Sequence, residues 1–565
     1  MQMPKRFSTR AVSRITAVIA VIVIIVVAGV AGYFLLYQPG PTAPTVPTVP
    51  TTTTTVATTR PGPTTLVVDK ANELQSLDPA FDYEYAGWEV IANLYDQLVT
   101  YDKSDPSEFV GMLAESWTST PDGMTYTFKL RQGVKFSNGD ELDANAVKYS
   151  IDRVLKMNQP PSWILSQDLT VDSVKVIDKY TVEFDLTQPY AAFLPTIATM
   201  TASIVNPNEV EKHGGVVADT TNPWMDSNAA GTGPFVLQEW IKGDHLTLAR
   251  NPLYWGTPAR LEKVIMYYKI SVQTRLMDIK SGFAQIAVID VNHITDVTGV
   301  EGIVVEKIGL SYHIDFIYMN LRAFPFDNPL VRKAVIHAIN YDAIMSGINR
   351  DVTVRYVGPY AKGMEGYDET IEPYKYDPDL AKQLLSQAGH PDGEGLPDIT
   401  YLYYSRDASV ALIAQQVQQD LANIGINVNL LGVSFATYID KILSGPEGVP
   451  EMGWTEWYAD YISPDDFVIP FANPDFPPVG WNPAYYSNDR VTELYQKAPY
   501  VLDANERAAM YKEITTIMYE DAPYAWLGQF TGYYVYRSNV HGIYNNVILS
   551  SGVGLDYSTI YLTAA

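Results

Sequence analysis

The chain of 565 residues carries 64 acidic against 39 basic side chains, a net charge of -25, and no cysteine. Disulfides, thiolate metal sites and a thioether-linked lipid anchor are thereby excluded, and the acidic excess argues against nucleic acid and anionic membrane surfaces as partners. Its 47% hydrophobic residues supply material for several domains.

The first segment, 1–37, joins a basic tail (Lys5, Arg6, Arg10, Arg14) to an uncharged apolar run from Ile15 to Tyr37. About 20 apolar residues span a bilayer as a helix, and the positive-inside rule puts the tail in the cytoplasm. A single-pass membrane anchor is therefore predicted, with everything after Gln38 outside the cell. Two alternatives use the same residues. One is a cleaved secretory signal, suited by Ala28, Gly29, Ala31 and Gly32; the other is a prepilin-type signal, as in some archaeal proteins, cut before the run. Residues 38–65 hold 12 Thr and 7 Pro in 28 positions, which reads as an extended stalk and suits O-linked glycan. No Asn-X-Ser/Thr sequon occurs in the chain.

The body begins with strands. Tyr126, Phe128 and Leu130 alternate with polar residues, as do Val182, Phe184 and Leu186 after the Asp178-Lys179 turn. Gly231-Thr232-Gly233-Pro234 reads as a tight turn into a hairpin over Phe235 to Leu248, itself turning at Lys242-Gly243-Asp244. Further on the pattern becomes helical. Asp377-Pro378 opens a helix with Gly389 just past its end, an N-cap, first-turn proline and C-cap glycine in order. Strand Ile399 to Tyr404 precedes a helix with Val410, Ile413, Val417, Leu421 and Ile424 on one face; Gly425 stops it, and strand Ile426 to Leu431 follows. That is a βαβ unit, and it implies a parallel pair within an α/β lobe.

A secreted hydrolase is the main competing class, and its motifs are nearly absent. Gly309-Leu310-Ser311-Tyr312-His313 begins like a nucleophile elbow but ends in His where the tight turn needs Gly. The seven His residues contain no HExxH pair, and no cofactor or metal motif is found. Ser463-Pro464-Asp465-Asp466 reads as a helix start, with Ser as N-cap and the acids at the positive end of the helix dipole, rather than as a catalytic carboxylate pair. Asp392 and Glu394 lie in a turn that lacks calcium-loop spacing. What remains is an aromatic concentration about one acid: Trp454, Trp457, Tyr458, Asp460 and Tyr461, then Phe467 and Trp481. Aromatics supply area for a ligand slot, and a lone carboxylate among them is costly unless paired.

From Leu66 onward the chain resembles the family 5 extracellular solute-binding proteins of ABC transporters, the dipeptide and oligopeptide-binding group. The most specific stretch runs from Leu113 through Trp117, Pro121-Asp122-Gly123 and Leu130-Arg131-Gln132-Gly133-Val134 to Phe136. Asp140 to Val147, Gly231 to Phe235, Asn251-Pro252-Leu253-Tyr254-Trp255, Asn328 to Ile344, Tyr376-Asp377-Pro378 and Asp521 to Tyr524 follow in the same order. The resemblance implies an α/β, two-lobed, type II periplasmic-binding-protein-like fold with an extra β-rich domain inserted in lobe one. Lobe one would cover 66–317 with a return over 530–565, and lobe two 318–529. It implies a receptor that captures a peptide between the lobes and delivers it to permease subunits of an ABC importer, with no enzymatic activity. Asp460, in Trp457-Tyr458-Ala459-Asp460-Tyr461, matches the family's acid that pairs with a peptide α-ammonium. Arg406 roughly matches an arginine for the peptide carboxylate. Trp454 departs from one oligopeptide-binding pattern. With Trp457 and Trp481 it would also stack on sugar rings, so an oligosaccharide is the alternative ligand.

Overall fold

The computed structural model describes residues 64–405, 408–473, 482–544 and 554–564. The apolar run Ile15 to Tyr37, the Thr/Pro stretch up to Pro63, Arg406 and Trp481 lie outside them. Among the described residues no helix is long and apolar enough to cross a membrane.

Two long antiparallel strands, Ile303–Met319 and Tyr524–Arg537, organise the molecule. Ile303 to Lys307 pair with Arg537 to Tyr533, while Ile314 to Tyr318 pair with Gln529 to Tyr524. Between these stretches the register shifts at Lys307/Leu310 and again at Leu310/Ile314. Such irregularities bend a strand and raise its twist. On one side the sheet continues through Ile286–Ala287, Thr65–Lys70, Lys263–Tyr268, His245–Arg250 and Phe235–Ile241; on the other it continues through Met452–Tyr458, Ile399–Tyr404 and Val428–Val433. The same two strands serve two separate hydrophobic cores. Ile308 and Tyr534 pack with Leu66, Val68, Leu248 and Val264, whereas Ile314, Phe316 and Trp526 pack with Val417, Trp454 and Phe471.

The predicted strand segments pair with one another. Phe128 faces Val182 and Tyr126 faces Phe184, within a four-stranded antiparallel sheet of 114–119, 125–130, 181–185 and 174–178. Phe128, Leu130, Val182 and Phe184 are buried in the first core. Helix Ala144–Met157 joins them, its start held by the Asp143 carboxylate accepting from the Asn145 and Ala146 N–H groups. The hairpin of Phe235–Ile241 and His245–Arg250 turns at Gly243, where φ is 79°. Ahead of it, Gly233 N–H donates to Leu94 O at 3.0 Å, and a Cβ on Gly233 would stand 2.5 Å from the Leu94 carbonyl carbon.

In the second core, Asp377 caps helix Pro378–Gln387 by accepting from Leu380 N–H at 2.9 Å, and Gly389 follows at φ 93°. Helix Ala408–Ala422 buries Val410, Ile413, Val417 and Leu421 between the parallel strands Ile399–Tyr404 and Val428–Val433. The second of these strands starts two residues later than its apolar pattern suggests. Ile426 N–H turns back to Leu421 O at 3.0 Å, closing the helix end instead of entering the ladder.

Candidate ligand cleft

Strand Met452–Tyr458 lies against the long strand, with His313 opposite Tyr458 and Ile314 opposite Trp457. Side chains alternate along a strand, so Trp454, Glu456 and Tyr458 share one face. Trp454 is fully buried in the second core, 5.4 Å from the Tyr404 ring. Glu456 Oε2 lies 2.9 Å from His313 Nε2, and Tyr404 OH donates to Oε1. Tyr458, half-buried, stacks on His313 at 3.9 Å; Phe530 covers the other face of the imidazole at 4.0 Å. Trp457 points the other way, edge-on to Phe471 at 5.7 Å.

The strand ends where the first core meets the second. Tyr85 packs on Tyr458 with centroids 4.5 Å apart, and its hydroxyl donates to Ala459 O at 3.3 Å. Tyr83 OH donates to Asp460 Oδ2, while Trp163 Nε1–H donates to the Tyr83 oxygen at 2.8 Å. Ile462 N–H donates to Tyr101 OH at 3.2 Å, Tyr190 OH to Asp465 Oδ2 at 2.6 Å, and Ala191 N–H to Pro499 O at 2.9 Å. Two cavities flank these contacts. One of about 410 Å³ is lined by Tyr101, Phe109, Tyr312, Met364, Ile462 and Arg507, the last paired with Glu365 at 2.8 Å. Another of about 360 Å³ lies between Trp163 and Gln167 on one side and Tyr495 and Gln496 on the other.

Asp460 is 8% exposed, and burial raises its carboxyl to about 7 against the opposing Tyr83 hydrogen bond. It does not stand alone. Asp460 N–H donates to Asp466 Oδ2 at 3.0 Å, and Asp465 Oδ2 also accepts from Tyr461 OH at 2.9 Å. Burial, joined by the Asp460 charge, pushes Asp466 well above the carboxylate range; burial likewise raises Asp465, opposed by the Ser463, Tyr190 and Tyr461 hydroxyls. The helix expected at Ser463-Pro464 is present as Asp465–Ala472, but Pro464 occupies the cap and Ser463 donates to Asp465 instead. Both acids are fully buried rather than solvated at a helix end.

The structure thus brings Tyr458, Asp460 and Tyr461 to one junction, while Trp454 and Trp457 are buried in the second core and Tyr461 in the first. Tyr83, Tyr85 and Trp163, missed by sequence reasoning, complete it from the other side. Tyr83-Glu84-Tyr85 is a visible aromatic pair, but nothing local to it points to position 460. Ser311, the residue of the incomplete elbow, donates to Phe530 O at 3.0 Å across the two long strands. Among the described residues no group of three or more His, Asp or Glu is disposed to hold a metal ion.

The family model described as bacterial extracellular solute-binding proteins, family 5 Middle, matches residues 108–476. The probable D,D-dipeptide-binding periplasmic protein DdpA of Escherichia coli (strain K12) is 30% identical over 489 residues, 86% of this chain and 92% of that protein. The glutathione-binding protein GsiB of Salmonella typhimurium is 30% identical over 475 residues, 81% of this chain and 88% of that protein. Among solved structures, the periplasmic binding protein DppA from Helicobacter pylori in complex with peptide STSA is similar with a TM-score of 0.76 and 28% identity, over 88% of this chain and 98% of that one. With more than half its length matched by the family model and its fold shared with a peptide-bound relative, the chain belongs to the family 5 bacterial extracellular solute-binding proteins.

Proposed function

We propose that the chain is the external receptor of an ABC importer, taking a peptide between its two lobes and handing it to permease subunits. The observation that carries this is Asp460, a buried carboxylate in a frame of aromatic rings at the lobe junction. A carboxylate so placed gains a charge-assisted hydrogen bond from an α-ammonium that a neutral ligand does not replace. A peptide as the ligand is supported by the relatives, two being named for D,D-dipeptides and glutathione and one being solved with a tetrapeptide. Binding is a population shift toward closed lobes, driven by contacts a ligand makes only there. In this reading Trp457, Tyr458, Tyr461 and Trp481 wall the slot, Trp454 backs it from the core, and Arg406 meets the peptide carboxylate. The chemistry is capture and release without a covalent step.

We read 66–317 and 530–565 as lobe one, with the sheet of 114–185 as its insert, and 318–529 as lobe two. The run Ile15 to Tyr37 anchors this body to the membrane, and the Thr/Pro segment 38–65 spaces it from the surface. Replacing Asp460 by Ala is expected to weaken a peptide with a free amino terminus by roughly 2 to 5 kcal/mol in calorimetry. Unchanged affinity overturns the assignment. Thermal stabilisation by malto- or cello-oligosaccharides but by no di- to octapeptide replaces the peptide with a sugar.

A further inference from the structure

The bond between Tyr83 and Asp460 joins residues 377 apart in the chain and crosses from one lobe to the other. Its direction is set. The Tyr83 oxygen accepts from the Trp163 indole N–H at 2.8 Å, which leaves its own hydrogen for Asp460. The base under Tyr83 is rigid. Phe81 and Asp82 N–H donate to Asp78 O at 3.0 and 2.8 Å, and Trp88 Nε1–H donates to Asp82 O at 3.1 Å. Asp78 is itself gripped on both carboxylate oxygens by Arg153, with the pair almost wholly buried. Gly87 makes room for this turn, since a Cβ there would stand 2.1 Å from Asp82 Oδ2.

Asp460 is held from the opposite side by its main chain, whose N–H is fixed on Asp466. Lobe two therefore sets the Asp460 backbone, and lobe one sets its carboxylate. We propose that Tyr83, oriented by Trp163, is a positioning residue that latches the lobes together through Asp460 and aims the carboxylate at an ammonium ligand. The aiming half rests on Asp460 as the ammonium partner; the latch does not. An ammonium group then meets a fully oriented carboxylate only when the lobes are together, which links capture to closure.

Asp460 is faced by Tyr83 and Trp163 from lobe one, by Tyr85 at Ala459, and by Asp465 and Asp466 from the helix start. Removing the Tyr83 hydroxyl takes away the contact that lowers the Asp460 carboxyl and leaves the burial that opposes its ionisation.

The test uses the full chain with Tyr83→Phe, and Trp163→Phe as a second variant that leaves the hydroxyl in place. The chain has no cysteine, so Ile177→Cys and Leu412→Cys, both exposed, accept spin labels uniquely. In the ligand-free protein, pulsed distance measurements should show the ratio of closed to open lobes falling about tenfold or more in Tyr83→Phe, as for loss of a hydrogen bond to a charged group. Trp163→Phe should shift it in the same direction. The pH of half-maximal affinity for a tetrapeptide with a free amino terminus should rise in Tyr83→Phe, with the N-acetylated peptide unmoved. A wild-type distance distribution in both variants overturns the latch, and an unmoved pH midpoint overturns the aiming. If the wild type itself binds both peptides alike, Asp460 as ammonium partner fails, and the distances alone decide the latch.

Discussion

Gln529 sits, 1% exposed, beside the point where the two long strands shift register. Its side chain does there what the ladder cannot. Nε2 donates to Ser311 O at 2.8 Å and Lys362 O at 3.1 Å, while Oε1 accepts from Lys362 N–H at 2.7 Å. Gln529→Ala removes all three bonds. Ser311 is 1% exposed, so its carbonyl is left without water, at about 1 to 3 kcal/mol. Lys362 is half-buried, and its two backbone groups can be rehydrated, so each loses only the net value of about 0.5 to 1.5 kcal/mol. The total expected is about 2 to 6 kcal/mol, read as a lower midpoint in equilibrium urea denaturation at unchanged slope. Gln529→Glu sharpens the test. It keeps the acceptor for Lys362 N–H but turns a carboxylate toward two carbonyls, which raises its folded-state pKa above the unfolded value. Such a group stabilises fully below the unfolded value of about 4.3 and loses that stability as pH rises through the folded one. Gln529→Glu should therefore approach the wild type near pH 4 and fall away toward pH 7. A loss below about 1 kcal/mol in Gln529→Ala, or a pH-independent Gln529→Glu, refutes the reasoning.

Three further outcomes follow from other sites. Asp78→Ala strands the buried Arg153 guanidinium and should cost about 3 to 5 kcal/mol in the same denaturation assay; a change within about 0.5 kcal/mol would show the pair to be dispensable. Asp69 is fully buried beside Asp278, and burial followed by that neighbour's charge lifts its carboxyl to about 8. Its folded pKa is raised, so its contribution is complete below about pH 4 and lost as pH climbs to 8. Asp69→Asn, which imitates the protonated form, should remove up to about 1.4 kcal/mol per pH unit of slope across that window, and a difference from wild type that stays constant with pH contradicts this. Gly233→Ala drives a Cβ into the Leu94 and Tyr95 backbone and should destabilise by about 1 to 3 kcal/mol; an unchanged thermal midpoint would mean that the turn shifts freely.

The aromatic cluster marks the limit of reading by composition. Trp454 and Trp457 look equivalent in sequence, yet strand alternation sends them to opposite faces, and only the place of Met452–Tyr458 in the sheet decides which face meets the lobe junction. Asp465 and Asp466 obey every local rule for a helix start. Yet both are buried, and Asp465 accepts from Tyr190, contributed by a segment 275 residues away. Local signals do not carry such information.

What the sequence determined by itself was whatever short-range physics dictates. Apolar periodicity and capping located the hairpin at Phe235, the helix at Pro378 and the parallel pair flanking Ala408–Ala422. The absence of cysteine ruled out thiolate and disulfide chemistry outright. Only the tertiary structure decided which side chains share a site, because Tyr83, Trp163 and Asp460 come together through the packing of two cores on one continuous sheet. A capping residue acts within one helical turn, whereas a cleft is made by chain segments whose separation along the sequence leaves no local trace.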